Sequence, residues 1–179
     1  MKVNGEALLS LQQIMKQKTV DALRWITCIL NDNHIPYRIG GGLATNIYGS
    51  GRPVRDIDIS ISGKYFSTIV SLAQELVVAG PKHYLNEKWD CTTLSLNYHG
   101  QDIDVTDVDT LLMRDNDGIR WIRNKEIYEK YPNVTKEVDG VKVVLMDPRV
   151  LLEYKQELNG EHQDFDKKFL RKYIKSNQI

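Results

Sequence analysis

The segment Asp56-Ile57-Asp58-Ile59-Ser60-Ile61-Ser62 alternates strictly between polar and apolar residues. This period of two predicts a β-strand, because successive side chains on a strand point to opposite faces of the sheet. The isoleucines would face a core, while Asp56 and Asp58 would share the other face. Neighbouring carboxylates repel each other unless a cation lies between them. The strand therefore indicates either a metal site or an ordinary solvent-exposed face.

Periodic patterns elsewhere predict that helices and strands alternate. We predict helices over about 6–31, 43–48, 64–79, 148–158 and 163–176, and strands over 37–39, 56–62, 91–98, 101–106, 134–138 and 141–146. His99-Gly100 and Asp139-Gly140 are two-residue links typical of hairpins, and the helix over 64–79 should stop at Gly80-Pro81. Asp147-Pro148 is typical of a helix start. The section 107–131 shows no clear period, and we assign it no structure.

These elements predict an α/β fold in which a small mixed sheet is flanked by helices, with further helices at the C-terminus. Apolar residues make up 41% of the 179 residues and charged residues 27%, which is ordinary for one globular domain over 1–179. Equal numbers of basic and acidic residues, 24 of each, create no overall field toward nucleic acid or an anionic membrane. Two widely spaced cysteines and the lack of a signal-like or membrane-spanning apolar run lead us to expect a cytoplasmic protein that does not bind membranes.

Three glycines, Gly40 to Gly42, lie between a predicted strand and a predicted helix. Glycine lets backbone N–H groups approach a phosphate closely, although a tight turn also requires glycine for conformational reasons alone. A third acid, either Asp104 or Asp102, would lie on a polar strand face and complete a set of three carboxylates. Such a set suits displacement at phosphorus assisted by two metal ions.

Taken as a set, these motifs resemble those of the minimal nucleotidyltransferases of the DNA polymerase beta superfamily. The motifs are Ile39-Gly40-Gly41-Gly42-Leu43-Ala44, Arg52-x-x-x-Asp56-Ile57-Asp58 and Ile103-Asp104-Val105. The core of the resemblance covers about 37–106, and a hairpin with C-terminal helices over about 134–179 extends a looser match. Val54 stands where the family usually has threonine. Any hydroxyl contact from that position is therefore lost.

The resemblance implies a nucleotidyltransferase fold and a Mg²⁺-dependent reaction. A nucleoside monophosphate would move from an NTP to an acceptor hydroxyl, and pyrophosphate would be released. Gly41 and Gly42 would hold the triphosphate, and Asp56 and Asp58 would bind two Mg²⁺ ions. Asp104 would be the third metal ligand and the proton acceptor. We prefer Asp104 to Asp102 because the family acid usually lies between two aliphatic residues.

Basic residues near these motifs have two interpretations each. Arg52 and Arg55 would contact phosphates, or one of them would form a structural ion pair. Lys155 would reach the nucleotide, or it would be a solvated helix lysine. A basic stripe on the last predicted helix would touch RNA or an acidic partner, or it would be a solvated face: Lys167, Lys168, Arg171, Lys172 and Lys175.

The acceptor is open at this point. Relatives of this size act on antibiotic-like small molecules, on tRNA or on a partner protein in toxin–antitoxin pairs, and a homodimer is also open. The alternative function is a non-catalytic, nucleotide-binding antitoxin or regulatory module of the same fold. A metal-dependent phosphohydrolase is less consistent with the sequence, because the His and Asp clusters typical of such sites are missing.

Overall fold

A computed structural model describes residues 15–179. Within that range the helices are α1 (Gln17–Asp32), α2 (Gly41–Ile47), α3 (Phe66–Leu72), α4 (Asn124–Tyr128), α5 (Pro148–Gln156) and α6 (Glu161–Asn177). The strands are β1 (Tyr37–Ile39), β2 (Asp56–Ile61), β3 (Val77–Leu85), β4 (Trp89–Tyr98), β5 (Gln101–Asp107), β6 (Leu112–Arg114), β7 (Trp121–Arg123), β8 (Val134–Val138) and β9 (Val141–Leu145). The prediction of an α/β fold with a mixed sheet is confirmed. The sheet is larger than predicted.

The strand order of the sheet is β7-β6-β4-β5-β2-β1-β9-β8, and β3 pairs with β4. Strand β2 lies at the centre, antiparallel to β1 and parallel to β5. Its pairing with β5 sets Asp58 opposite Asp104, and β5 in turn pairs antiparallel with β4. At the centre of the sheet, residues of β2, β5 and β4 are therefore paired in register, so that their side chains lie next to one another.

One face of this central region is the hydrophobic core. Ile57, Ile59 and Ile61 of β2 are buried, as are Ile103 and Val105 of β5. Helix α1 covers that face, since its Thr19 donates a hydrogen bond of 2.7 Å to Gln101 of β5, which has the same orientation as Ile103. The opposite face carries the aspartates, and residues of the C-terminal helices α5 and α6 line the cleft beside it.

The C-terminal helices pack beside α2, at the end of the sheet that carries the glycines. The predicted cap of α5 is confirmed: Asp147 accepts a hydrogen bond of 2.9 Å from the Arg149 amide, and Pro148 is the first helical residue. Helix α5 contacts α2, α4 and α6. Residues of α5 and α6 are thereby brought close to β2, which lies about 100 positions earlier in the chain. None of the helices within residues 15–179 has the length and apolarity needed to cross a membrane.

Two sequence predictions need correction or completion. The helix predicted over 64–79 is wrong beyond Leu72, because the chain passes through a short 3₁₀ turn, Gln74–Leu76, and enters strand β3, which runs through Gly80-Pro81. The unassigned section contains β6, β7 and α4. Residues 6–14 of the first predicted helix lie outside the described residues, and α1 confirms the remainder from Gln17. Both predicted hairpins are present, and Asp139 and Gly140 both have positive φ, as a tight two-residue turn requires.

Candidate active site

Three rows of polar side chains cross β2, β5 and β4 on the face opposite the core. Residues paired in register on adjacent strands point to the same side of the sheet. From one end the rows are Asp56–Asp102–Asn97, Asp58–Asp104–Ser95 and Ser60–Thr106–Thr93. The carboxylates are thus grouped at one end of a polar strip and the hydroxyls at the other. Sequence alternation predicted the polar faces of β2 and β5, and the registers bring them together with that of β4.

Asp58 occupies the middle row and has the most unusual environment. Burial, followed by the neighbouring charges of Asp56 and Asp104, raises the pKa of its carboxyl group to about 7, although Lys155 and Arg52 act in the opposite direction. A carboxyl group that is half neutral near physiological pH is poorly solvated and has no adequate counter-charge. Perturbed groups of this kind are concentrated at functional sites.

The two candidates for the third acid differ in position. Asp104 lies directly opposite Asp58, and its Oδ1 accepts a hydrogen bond of 2.6 Å from the Ser95 hydroxyl. Asp102 lies opposite Asp56, is exposed, and accepts a hydrogen bond of 2.7 Å from Asn97. Only Asp104 acts on the pKa of Asp58. The geometry favours Asp104, in agreement with the sequence preference.

The glycines form the first turn of α2, which starts at Gly41 and not two residues later as predicted. Gly41 has a positive φ of 58°, and a Cβ atom there would lie 1.7 Å from Asp58 Oδ2. No side chain other than hydrogen can occupy that position while Asp58 keeps its place. The absence of a Cβ therefore allows the carboxylate to approach the start of the helix. The first amides of a helix have no intrahelical partner, so Gly41 and Gly42 present free donors beside it.

The donor set suits Mg²⁺, although its side chains do not yet enclose an ion. Within residues 15–179, no group of three His, Cys, Asp or Glu side chains is arranged as a finished metal site. Asp104 is turned toward Ser95, and Asp58 lies against Gly41. Carboxylate oxygens from adjacent strands are nevertheless the ligands that Mg²⁺ prefers. A divalent cation would also relieve the repulsion that raises the pKa of Asp58. By its chemistry the set fits the ion, and Asp104 could join it through Oδ2 while Oδ1 accepts from Ser95.

An ion cluster that the sequence analysis missed lies beneath the glycine turn. Asp166 of α6 is fully buried and accepts two hydrogen bonds from Arg52, at 2.9 and 3.0 Å, and it forms an ion pair of 2.9 Å with Lys155. A Cβ atom at Gly42 would lie 2.2 Å from Arg52 Nη2. The interpretation of Lys155 as a solvated lysine is wrong, because its side chain is 1% exposed. We call Arg52, Lys155 and Asp166 the buried triad.

The triad has a net charge of +1, since two cations share one carboxylate. Burial lowers the pKa of Lys155, and the attraction of Asp166 opposes that effect. The remaining positive charge lies next to Gly42 and acts on Asp58. Arg55, in contrast, is exposed and forms no ion pair with any residue in the described range. Arg52 and Lys155 thus form structural ion pairs with Asp166 as well as lining the cleft. The Arg55 guanidinium lines the cleft without such a pair among the described residues.

The cleft above the polar strip has two lobes, which share Gly41, Asp58, Trp89 and Tyr154. The wide lobe, of about 700 Å³, is lined by charged side chains of both signs. The acids are Asp56, Asp58, Glu87 and Asp115, and the bases are Arg52, Arg55, Lys88, Arg114 and Lys155. Lys88 donates to the backbone carbonyls of Arg114, at 2.6 Å, and of Glu157, which fixes the wall of this lobe. The predicted residues Gly41, Gly42, Asp56 and Asp58 all line the wide lobe.

The aromatic lobe, of about 360 Å³, lies over the opposite end of the strip. It contains Asp104 and the hydroxyl row, and its walls are formed by aromatic rings: Tyr84, Trp89, Tyr128 and Tyr154. The rings of Trp89 and Tyr154 are 6.3 Å apart, and those of Tyr128 and Tyr154 meet edge to face at 5.8 Å. The carboxylates therefore lie at the junction of a lobe rich in charged side chains and a lobe whose other lining residues are uncharged.

No protein-family model matches the sequence, and no curated protein matches it. Solved structures share its fold. A protein of Thermotoga maritima assigned as a nucleotidyltransferase is 19% identical, with a TM-score of 0.63 over 92% of this chain and 93% of its own. An antigenic nucleotidyltransferase-like protein from Paracoccidioides brasiliensis is 16% identical, with a TM-score of 0.54 over 90% of this chain and 78% of its own. ANT(2″)-Ia, solved with adenylyl-2″-tobramycin, is 13% identical, with a TM-score of 0.55 over 90% and 91%. The chain therefore has the nucleotidyltransferase fold.

Proposed function

We propose that the protein is a Mg²⁺-dependent nucleotidyltransferase that moves a nucleoside monophosphate from an NTP to an acceptor hydroxyl. The single observation that carries this proposal is the position of Asp58. Its carboxylate lies between Asp56 and Asp104, against the glycine turn, at the junction of two lobes. The fold shared with structures named nucleotidyltransferases supports the same reaction class.

The triphosphate fits the wide lobe. Gly41 and Gly42 would donate their amides to it, Arg55 is free to reach it, and the net positive charge of the buried triad lies behind it. Asp56 and Asp58 would hold Mg²⁺, with Asp104 as the third ligand. When bound, Mg²⁺ would acidify the attacking hydroxyl and stabilise charge on the phosphates. The protein's own contribution is mainly to position the reactants and exclude water.

In the proposed transfer step one bond to phosphorus forms, one breaks, and one proton moves. The acceptor oxygen forms a bond to the α-phosphorus, and the bond from that phosphorus to the bridging oxygen of pyrophosphate breaks. The hydroxyl proton passes to the Asp104 carboxylate, which faces the aromatic lobe. Pyrophosphate leaves through the wide lobe. The acceptor remains a small molecule, tRNA or a partner protein, and the adenylylated small molecule bound to one structural neighbour favours the first.

One observation favours the alternative, a non-catalytic nucleotide-binding antitoxin or regulatory module. Asp104 is held by Ser95, and no finished metal cage exists among residues 15–179. The two functions differ in turnover. A module would be stabilised by Mg²⁺ and NTP without releasing pyrophosphate, whereas an enzyme would release it.

Incubation with each of the four α-labelled NTPs, Mg²⁺ and a cell extract tests the proposal directly. We expect label to enter one acceptor class from one or two donors, with equimolar release of pyrophosphate. Separation of the extract into RNA, protein and small molecules then identifies the acceptor class. Stabilisation by Mg²⁺-NTP with no label transferred and no pyrophosphate released would overturn the enzyme assignment in favour of the module.

Gly41→Ala should reduce nucleotide transfer about 100-fold, because its Cβ would overlap Asp58 Oδ2 and displace the carboxylate. Gly140→Ala is the matched control: Gly140 also has a positive φ, 74°, but a Cβ there meets nothing within 4 Å. Both variants should lose about 1–2 kcal/mol of stability from backbone strain. Only Gly41→Ala should lose activity, measured as the rate of pyrophosphate release at equal folded fraction. Equal rates in the two variants would contradict the role given to Gly41.

A further inference from the structure

We propose that the aromatic lobe is the acceptor site and that it selects an uncharged small molecule that combines a flat ring with hydroxyl groups. This inference rests on the proposed function and adds the substrate class to it. The assignment of lobes follows from the acids: Asp56 faces only the wide lobe, Asp104 only the aromatic lobe, and Asp58 both. Since Asp104 is the proton acceptor, the hydroxyl that attacks must approach from its side.

The charge of the lobe excludes strongly charged acceptors. Of the described residues that line it, only Asp58 and Asp104 are charged, and both belong to the carboxylate group at the junction. An anionic acceptor would meet two carboxylates and no cation. A polycationic one would find no acid beyond the two already engaged with Mg²⁺, and burying an unpaired charge is costly. An uncharged acceptor encounters neither penalty.

The lining of the lobe matches a ring with hydroxyl substituents. Trp89 and Tyr154 provide flat apolar surfaces, on which a ring can stack. The floor is the hydroxyl row formed by Ser60, Thr106 and Thr93. Hydroxyl groups can both donate and accept, so the row can hydrogen-bond to sugar-like hydroxyls of either orientation.

The size of the lobe limits the acceptor further. Its volume of about 360 Å³ is at the lower end of the range of ligand sites. At about 30 Å³ per water molecule, the lobe holds roughly a dozen waters. One ring with a sugar-sized substituent fits such a space, whereas a folded RNA or protein segment would have to insert a single group.

Transfer of label from the donor NTP to defined acceptors tests the class. The probes are uridine and phenyl glucoside, both uncharged, and the polycationic aminoglycoside tobramycin. We expect label in at least one uncharged probe at a rate at least ten times that of tobramycin. Faster transfer to tobramycin, or transfer to none of the small probes while an extract RNA or protein becomes labelled, would overturn the inference and leave the proposed function intact. No donor binding and no pyrophosphate release would overturn both.

A pair of variants tests the location. Thr106→Leu fills the lobe, and Thr92→Leu places the same change on the opposite face of β4, outside either lobe. With an α,β-methylene analogue of the donor NTP and Mg²⁺ present, the change in tryptophan fluorescence reports binding of the accepted probe, since Trp89 lines the lobe and Trp25 and Trp121 do not. We expect Thr106→Leu to weaken that binding at least tenfold and Thr92→Leu less than twofold, while the affinity of each variant for the analogue changes less than twofold. Equal acceptor affinity in both variants would overturn the assignment of the lobe.

Discussion

Replacement of Asp58 with Asn should lower the rate of nucleotide transfer about 1,000-fold. Asn keeps the shape of the side chain and can still lie against Gly41, but it loses the charge that would hold Mg²⁺ between the two lobes. The measurement is pyrophosphate release under saturating Mg²⁺ and NTP. Asp102→Asn, an equivalent change one row away on the same strip, should retain most of the activity. Retained transfer in Asp58→Asn would remove the basis of the proposed function.

The same variant should be more stable than the parent protein when no metal is present. In the folded protein the pKa of Asp58 is raised to about 7, chiefly by burial, from a usual value of 3.8. Ionisation of this group therefore opposes folding. The penalty is absent below about pH 4, grows between pH 4 and 7, and is complete above pH 7. The Asp58 side chain keeps some contact with solvent at the cleft, which screens its charge, so we reduce the effect of the full shift to about 2 kcal/mol, or a melting temperature about 5 °C higher at pH 8.

Thermal melts with EDTA at pH 4.5, 6, 7 and 8 measure this gain. The difference between Asp58→Asn and the parent should shrink steadily as the pH falls, while Asp102→Asn should show little difference at any pH. Addition of Mg²⁺ and NTP should stabilise the parent and leave Asp58→Asn nearly unchanged, because ligand binding adds stability only where the site exists. A pH-independent gain would show that Asn improves packing and does not relieve charge.

Local sequence patterns predicted the parts of the fold in which a strand or turn is specified by its own residues. The alternation in β2 determines which side chains enter the core, and a shift of one residue would reverse them all. The hairpin turns depend on residues that accept positive φ, such as Gly140. The carboxylates of the candidate site were found for the same reason. Their polar positions alternate with the apolar positions that enter the core.

Strand β3 shows where local patterns fail. Phe66, Ile69 and Val70 follow helical spacing and belong to α3, and Leu76 and Val77 continue the same period by coincidence. The second stretch instead pairs along the outer side of β4, with register shifts on both sides of Ala79. Backbone pairing with a strand that comes later in the chain outweighs a weak helical period. No pattern within the segment itself predicts that it pairs with β4.

The buried triad is the part of the site that sequence reasoning missed. Arg52, Lys155 and Asp166 are up to 114 positions apart, and only the packing of α5 and α6 against α2 joins them. One signal was available. Asp166 precedes the buried Leu170 by one helical turn, so it is an acid at a position of the apolar stripe on α6. An acid in that position has to have a buried cation as its partner.

Replacement of Asp166 with Asn should destabilise the protein by about 3–5 kcal/mol, the usual cost of removing one partner of a buried ion pair. It leaves Arg52 and Lys155 side by side, at 17% and 1% exposure, without a counter-charge. Urea unfolding measures the loss. Asp164→Asn is the matched control on the same helix: Asp164 is 70% exposed and pairs only with Lys167, so less than about 1 kcal/mol should be lost.

A further variant separates stability from function. Exchange of the whole triad for apolar residues, Arg52→Met with Lys155→Met and Asp166→Leu, should restore much of the stability, because no member of the triad is then left as a buried charge without its partner. It also removes the net positive charge behind the triphosphate. We therefore expect the triple variant to fold but to bind Mg²⁺-NTP at least tenfold more weakly than the parent in a direct titration. A triple variant that folds and binds the nucleotide with unchanged affinity would show that the triad only joins α6 to the glycine turn, and that Arg55 and the backbone amides suffice for the phosphates.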